Sequence, residues 1–328
     1  MLIRLEQLTF HARHGVMPQE SKVGGRFEVD VTLRLDDTEC SGAVDDDLLC
    51  HTVNYAEVYA AVAEEMARPS ALIEHVAGRM ARRMLHDFPA VREVTVRVRK
   101  CCPPIEGFAG RGVSVEVTRH RRLVVWDFDG TLADTQRGIV RTMRLTLDEC
   151  APACSPTDDD IRQTIGLPLR DSIARLSGLH GGALDKAVDT YRRLFETEGV
   201  PCTTLFDGIA DALHRQTERG DVVTIATSRG HQSVKELCGR MGILHYIAHI
   251  VACEDVMHGK PHAEPVLRLC KITGILPAHT TVIGDTTYDM EMGFNAGVAR
   301  CLGVTWGNHT AEMLAPAGGT VVTAPEAL

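Results

Sequence analysis

Two kinds of hydrophobic pattern divide the chain. In the first third, apolar and polar positions alternate. Phe27, Val29, Val31, Leu33 and Leu35 interleave with Glu28, Asp30, Thr32 and Arg34. That period of two predicts a strand with one wet face. Val94, Val96 and Val98 interleave with Thr95, Arg97 and Arg99, and Val113, Val115 and Val117 with Ser114, Glu116 and Thr118, predicting two more. Helices are expected over 55–67 and 71–87; in the second, Leu72, Ile73, Val76, Ala77, Met80 and Met84 form one apolar stripe at helical spacing. The order β-β-α-α-β-β predicts an α+β unit, an antiparallel sheet with helices on one face.

From Leu123 onward the pattern changes. The strands expected at 123–127, 222–227, 248–252, 281–284 and 299–303 are mostly continuous apolar runs, as in a parallel sheet covered on both faces. Helices are expected between them, for example over 134–148 and 183–197, and the tail after Pro316 is expected to hold a last short strand. The change predicts two domains, 1–120 and 121–328, which suits 328 residues at roughly 150 per domain. The run Arg119-His120-Arg121-Arg122 at the boundary reads as a solvated connector in preference to a nucleic-acid patch.

Composition narrows the classes. With 44% hydrophobic and 24% charged residues, a chain of this length buries a core without disulfides or a structural metal. A net charge of −9 argues against non-specific binding to nucleic acid or an anionic membrane. No run of about 20 apolar residues occurs, so no transmembrane helix is expected. The start, Met1 to Glu6, is broken by charge and lacks the apolar core of a signal peptide. Eleven cysteines without repeated Cys-x-x-Cys pairs read as reduced thiols, and a cytoplasmic location is expected.

The clearest chemistry starts at Asp127-Phe128-Asp129-Gly130-Thr131-Leu132. A buried strand ends in two carboxylates one residue apart, followed by a glycine turn. Such strand ends carry the ligand sites of open parallel sheets. The pair is either a solvated strand cap or a phosphoryl-transfer centre, where a bound Mg²⁺ would relieve the repulsion between the acids. Three further strand ends favour the second reading. Thr227-Ser228 follows Val222–Ala226, Lys260-Pro261 follows another apolar strand, and Gly284-Asp285-Thr286-Thr287-Tyr288-Asp289 follows Thr281-Val282-Ile283. Nucleophile, phosphate donors, a cation and metal ligands then stand in order.

These motifs resemble the haloacid dehalogenase superfamily over about 122–328. The resemblance implies a Rossmann-like α/β core. It makes Asp127 the nucleophile and Asp129 the general acid/base, with Thr227, Ser228 and Lys260 on the phosphoryl group. Asp127, the backbone carbonyl of Asp129, and Asp285 would hold Mg²⁺, with Asp289 supporting the metal shell. An acid two residues after the nucleophile is the family's phosphatase pattern; dehalogenases lack it and P-type ATPases carry Thr there. Ser228 departs from the Asn common in relatives, which touches fine phosphate geometry. The long stretch before residue 222 resembles a helical cap inserted after the first motif, about 135–205, as in phosphoglycolate phosphatase-like enzymes. Arg162, Arg170 and the Gly166-Leu167-Pro168 turn are its candidate substrate-facing positions, each read first as plain surface or turn.

In the first domain Lys100 ends the strand Val94-Val96-Val98 on its apolar face. A buried ammonium costs several kcal/mol unless paired, so Lys100 either snorkels at the sheet edge or is held for use. Glu74 opens a helix, where an acid also suits the dipole. Tyr55 opens the other and would serve equally as core, and Glu20 lies in a loop where acids are usually solvated. Together, His14-Gly15-Val16, Glu20, Gly25 with Phe27, Asp46-Asp47-Leu48, Thr52-Val53-Asn54-Tyr55, Leu72-Ile73-Glu74 and Lys100-x-x-Pro103-Pro104-Ile105 resemble dihydroneopterin aldolase over 1–120. The resemblance implies a tunnelling-fold unit that closes into a barrel by forming a homo-octamer or tetramer, with the site between subunits.

Aldol cleavage needs an electron sink. No Cys/His cluster has aldolase metal spacing, His11 and His14 being a weak pair, and the substrate's side chain lacks the carbonyl a Schiff base needs. The dihydropterin ring itself takes the electrons if N5 is protonated, so no cofactor is expected in this half. Lys100 is then the acid/base near N5, with a pKa expected to fall on burial. Tyr55 assists, Glu74 accepts from the 2-amino and N3 groups, Glu20 holds a water or hydroxyl, and Val53 and Ile73 contribute backbone contacts. Cys101-Cys102 departs from the family, where Pro is common at the first position; His51 is a further local variation.

The pair of resemblances implies consecutive folate-pathway steps. Mg²⁺-dependent hydrolysis of dihydroneopterin monophosphate would be followed by retro-aldol cleavage to glycolaldehyde and 6-hydroxymethyl-7,8-dihydropterin. Two alternatives are an aldolase fused to a phosphoglycolate-phosphatase-like or pyrophosphatase-like housekeeping hydrolase, and a pterin domain serving only as an oligomerisation ring. Small-molecule pterin and phosphomonoester substrates, not nucleic acid or membrane, are the expected partners.

Overall fold

A computed structural model of the chain describes residues 1–35, 42–45 and 47–328. Asp46 of the Asp46-Asp47-Leu48 motif lies outside the described residues. The chain divides into two compact units, Met1–Arg121 with Glu218–Asp221, and Arg122–Thr217 with Val222–Leu328. No helix among the described residues is long and apolar enough to cross a membrane.

The first unit is an antiparallel sheet of β1 (Leu2–Ala12), β2 (Gly25–Leu35), β3 (Val91–Lys100) and β4 (Val113–His120), in that order. The β2–β3 register sets Phe27 opposite Lys100, Val29 opposite Val98, Val31 opposite Val96 and Leu33 opposite Val94. The valines, Phe27 and Leu33 on this face are fully buried. They pack under helices α1 (Tyr55–Ala67) and α2 (Ile73–Asp87), which contribute Val58, Val62, Val76, Ala77, Met80 and Met84.

Two details differ from the expectation, and a third, in β1, has no counterpart in it. Leu72 stands before the helix as its N-cap, with extended backbone, and is exposed, so the stripe begins with half-buried Ile73. In β1, Leu5 faces Val31 but Leu8 faces Val29, three steps against two. This bulge reverses the alternation, so Ile3 and Leu5 point inward before it and Leu8 and Phe10 after it. Gln7 takes φ 54° there, and its N–H donates to Asp30 Oδ1 at 2.7 Å. The basic run is not wholly solvated. Arg121 is buried, donating to the carbonyls of Val91 at 2.8 Å, Phe88 at 3.0 Å and Leu85. Its five fixed donors satisfy several carbonyls at once, which is how an arginine tolerates burial.

The second unit has a sheet of β5 (Leu123–Trp126), β6 (Val222–Ala226), β7 (His249–Val251), β8 (Thr280–Gly284), β9 (Arg300–Val304) and β10 (Thr320–Val322). The spatial order is β10-β9-β8-β5-β6-β7 and every pairing is parallel. β5 lies inside, and its residues explain the continuous apolar run. Val124 and Trp126 join one core and Leu123 and Val125 the other, on opposite faces of the sheet. Trp126 pairs its indole N–H with buried Gln216 at 3.0 Å. Between β5 and β6 the chain runs through α3 (Gln136–Cys150), α4 (Leu169–Ser177) and α5 (Gly181–Leu194), packed on one another. A two-strand ladder, Ala133–Asp134 with Thr204–Leu205, joins the two ends of this helical insert.

Candidate active sites

The strand ends of the second unit converge. Asp127 extends β5 by one residue, its N–H donating to Ile283 O at 2.8 Å. The chain then turns at Gly130, φ +88°, where a Cβ would stand 2.3 Å from Asp285 Oδ2. This glycine lets the loop close on Asp285, so that Thr131 Oγ1 donates to Asp285 Oδ1 at 2.9 Å. Asn308 donates to Asp285 Oδ2 from its backbone and its side chain, both at 2.7 Å. Asp289, in the first turn of helix Thr287–Asn295, accepts from Thr286 N at 3.1 Å and Oγ1 at 2.6 Å. Lys260 Nζ donates to Asp289 Oδ1 at 2.6 Å and to Asp127 Oδ1.

All four of these charged groups are buried, and one oxygen from each of Asp127, Asp285 and Asp289 lies within 4.8 Å of the others. Three acids share one ammonium. Burial pushes Asp127 well above the usual carboxylate range against the pull of Lys260, and burial with the Asp289 charge pushes Asp285 up to about 6. Burial alone would lower Lys260, but Asp127 and Asp289 hold it above its usual value. A cluster with surplus buried negative charge and oxygen donors fits a hard divalent cation.

Thr227 is buried beside this cluster, its Oγ1 accepting from Arg229 N at 3.1 Å. Ser228 instead donates to Gly166 O at 2.8 Å, so its hydroxyl engages the turn of the helical insert. Asp129 has a partner that sequence reasoning missed: Arg229 forks onto it, Nε to Oδ2 at 3.1 Å and Nη2 to Oδ1 at 2.5 Å. A cavity of about 930 Å³ opens above these groups, lined by Asp127, Asp129, Thr227, Ser228 and Arg229 and by insert residues including Gly166 and Phe195. Arg170 and the Gly166-Leu167-Pro168 turn line it; Arg170 is paired with Asp185. Arg162 does not line it and pairs with Asp159 at 2.5 Å. A second cluster, His258, His262 and Glu264, is internally satisfied. Glu264 accepts the Met257 and His258 N–H groups, each at 2.9 Å, and His262 Nδ1 accepts from Glu264 N at 3.1 Å.

In the first unit, Lys100 and Glu20 meet although 80 positions apart. Lys100 Nζ donates to Glu20 Oε1 and, at 3.4 Å, to His14 O. Glu20 also accepts from Met17 N at 2.9 Å. Burial would raise its carboxyl, but the Lys100 and Met17 bonds bring it below the usual value. Lys100 is therefore paired rather than snorkelling free at the sheet edge. His14 lies edge-on to Phe27 behind the pair, and burial with the charges of Arg79 and Lys100 lowers its pKa to about 4. Cys101 leaves the ladder intact, its N–H donating to Arg26 O at 3.1 Å. Val53 is buried and Ile73 half-buried, whereas Tyr55 and Glu74 are exposed at their helix starts.

A parallel sheet whose strand ends gather an Asp pair, a threonine, a lysine and more acids defines a hydrolase fold, and here it follows an antiparallel unit of pterin-lyase type. The profile of haloacid dehalogenase-like hydrolases matches residues 124–303 and that of dihydroneopterin aldolase matches residues 3–118; the chain belongs to both families. It is 34% identical over 206 residues to the probable phosphatase IndB of Dickeya dadantii (strain 3937), covering 61% of this chain and 88% of that one. It is 38% identical over 120 residues to the dihydroneopterin aldolase of Bacillus subtilis (strain 168), covering 36% and 97%. A haloacid dehalogenase-like hydrolase structure from Bacteroides fragilis superposes with a TM-score of 0.59 at 27% identity, covering 63% of this chain and 100% of that one.

Proposed function

We propose that the chain runs two consecutive reactions of folate synthesis: hydrolysis of dihydroneopterin monophosphate, then retro-aldol cleavage of 7,8-dihydroneopterin. The observation that carries the choice of phosphate ester is the cavity of about 930 Å³ above Asp127. Its size is near the top of the roughly 300–1,000 Å³ range of ligand pockets, which suits a bicyclic ring with its side chain better than a two-carbon acid.

In the phosphatase half, Asp127 Oδ attacks phosphorus while Asp129 gives a proton to the leaving oxygen. Asp129 then takes a proton from the water that hydrolyses the aspartyl-phosphate. Thr227 and Lys260 donate to the phosphoryl oxygens as charge builds on them. Asp127, the Asp129 carbonyl and Asp285 would hold Mg²⁺, with Asp289 behind them, and the ion when bound neutralises phosphoryl charge. In the aldolase half, Lys100, held by Glu20, exchanges protons near N5 of the dihydropterin, assisted by Tyr55. Glu74 accepts from the 2-amino and N3 groups. The exposure of Tyr55 and Glu74 in one chain supports a site completed by a second copy, in a homo-tetramer or octamer.

The test is one incubation of purified protein with dihydroneopterin monophosphate and Mg²⁺, following phosphate and 6-hydroxymethyl-7,8-dihydropterin together. Both products are expected. A strong preference of the phosphatase for phosphoglycolate or pyrophosphate overturns the consecutive reading. Failure to cleave free dihydroneopterin reduces the first unit to an oligomerisation ring.

A further inference from the structure

Arg229 has no role in the reaction as written, yet its setting is built. Its side chain is 11% exposed and that of Asp129 16%. The fork uses both oxygens of Asp129. The guanidinium carbon stands 4.4 Å from the ring centre of Phe195 and 5.9 Å from that of Phe128. Phe195 follows α5 of the helical insert and stacks on Tyr191 at 5.9 Å, whereas Asp129 and Arg229 sit on strand-end loops of the core. A guanidinium seated over an aromatic ring and forked onto a carboxylate restrains that carboxylate. By contrast the insert's Arg162–Asp159 pair is exposed and lies outside the cavity lining.

We propose that Arg229 is the positioning residue for proton transfer by Asp129, and that Phe195 makes this positioning depend on the helical insert. The proposal rests on the reading of Asp129 as proton donor. With both its oxygens in the fork, Asp129 reaches the leaving oxygen only by opening one of the two bonds; the other keeps the carboxyl in place. Asp129 takes up a proton from water on the oxygen that the fork releases; the Asp127 Oδ–P bond then forms, the bond from phosphorus to the leaving oxygen breaks, and that proton passes to the leaving oxygen. Arg229 neither gains nor loses a proton.

The test compares p-nitrophenyl phosphate with phenyl phosphate on the full chain with Mg²⁺. The two esters are close in size, but phenolate is much the poorer leaving group and needs the proton more. Arg229→Gln is expected to lower kcat on phenyl phosphate about tenfold more than on p-nitrophenyl phosphate, below the ~10²–10⁴ of a complete proton donor, with KM changed less than about twofold. Arg229→Lys should recover part of the loss, and Phe195→Leu should show the same bias more weakly. Asp129→Asn sets the full bias. Equal losses on both esters, or a rise in KM alone, overturn the proposal. Bias in Asp129→Asn without bias in Arg229→Gln sinks this inference only; no bias in Asp129→Asn removes the donor reading and the inference together. If Arg229→Gln does not fold, Phe195→Leu and Arg229→Lys decide, and loss without bias in them is an overturning result.

Discussion

In the second unit Asp127, Lys260, Asp285 and Asp289 are each at least nine-tenths buried and linked by hydrogen bonds, while in the first Lys100 and Glu20 pair but Tyr55 and Glu74 stand in solvent. The difference follows from topology. A parallel sheet brings the carboxyl ends of β5, β6 and β8 to one edge, so residues far apart in sequence meet within one chain. An antiparallel sheet with helices on one face has no such gathering edge. Its helix starts present Tyr55 and Glu74 outward, where the proposed oligomer would bring a partner surface.

The sharpest way to break this comparison is to disable each site alone. Asp127→Asn is expected to lower phosphate release by about 10⁴-fold or more, leaving cleavage of free dihydroneopterin unchanged. Lys100→Ala is expected to cost about 10²–10⁴-fold in that cleavage and nothing in phosphate release; a parallel fall in both would mean the sites are not separate. The buried acids supply a smaller effect. Asp285, held up near 6, is protonated below that pH, and the proton competes with the metal. Mg²⁺ affinity should therefore fall as the pH drops through about 6, by about tenfold per unit for each ligand carboxyl that becomes protonated, the raised Asp127 adding to Asp285, with proton release on metal binding visible by calorimetry in two buffers. Last, dilution should lower aldolase turnover per chain by mass action and leave phosphatase turnover constant. Equal constancy would show that one chain suffices for the pterin reaction.

Much of this was legible because the signals are local. The alternation through Phe27–Leu35, the apolar run at β5 and the acids after it are written in adjacent positions, and they predict the elements to within a few residues. What escaped depends on tertiary neighbours. Arg229, after Thr227-Ser228, gave no signal in the sequence, since only the fold supplies Asp129 and Phe195. Arg121 looked solvated because the carbonyls it satisfies belong to the end of α2 and the start of β3. Ser228 read as a phosphate contact, and the Gly166 carbonyl that takes its hydroxyl lies 62 positions away. For the same reason, which acid pairs with Lys100 could not be read from the sequence, since Glu20 lies 80 positions away.

The bulge in β1 carries a consequence for comparing related chains. It is a phase change of one residue, anchored by Gln7 on Asp30, which also binds Arg97. A relative whose first strand lacks the extra residue matches only one half of Leu2–Ala12 in an ungapped alignment. Across the other half, inward residues are set against outward ones, so hydrophobic identity appears lost where the packing is the same. The single gap belongs at Glu6-Gln7, and placing it there restores Ile3, Leu5, Leu8 and Phe10 as one continuous face.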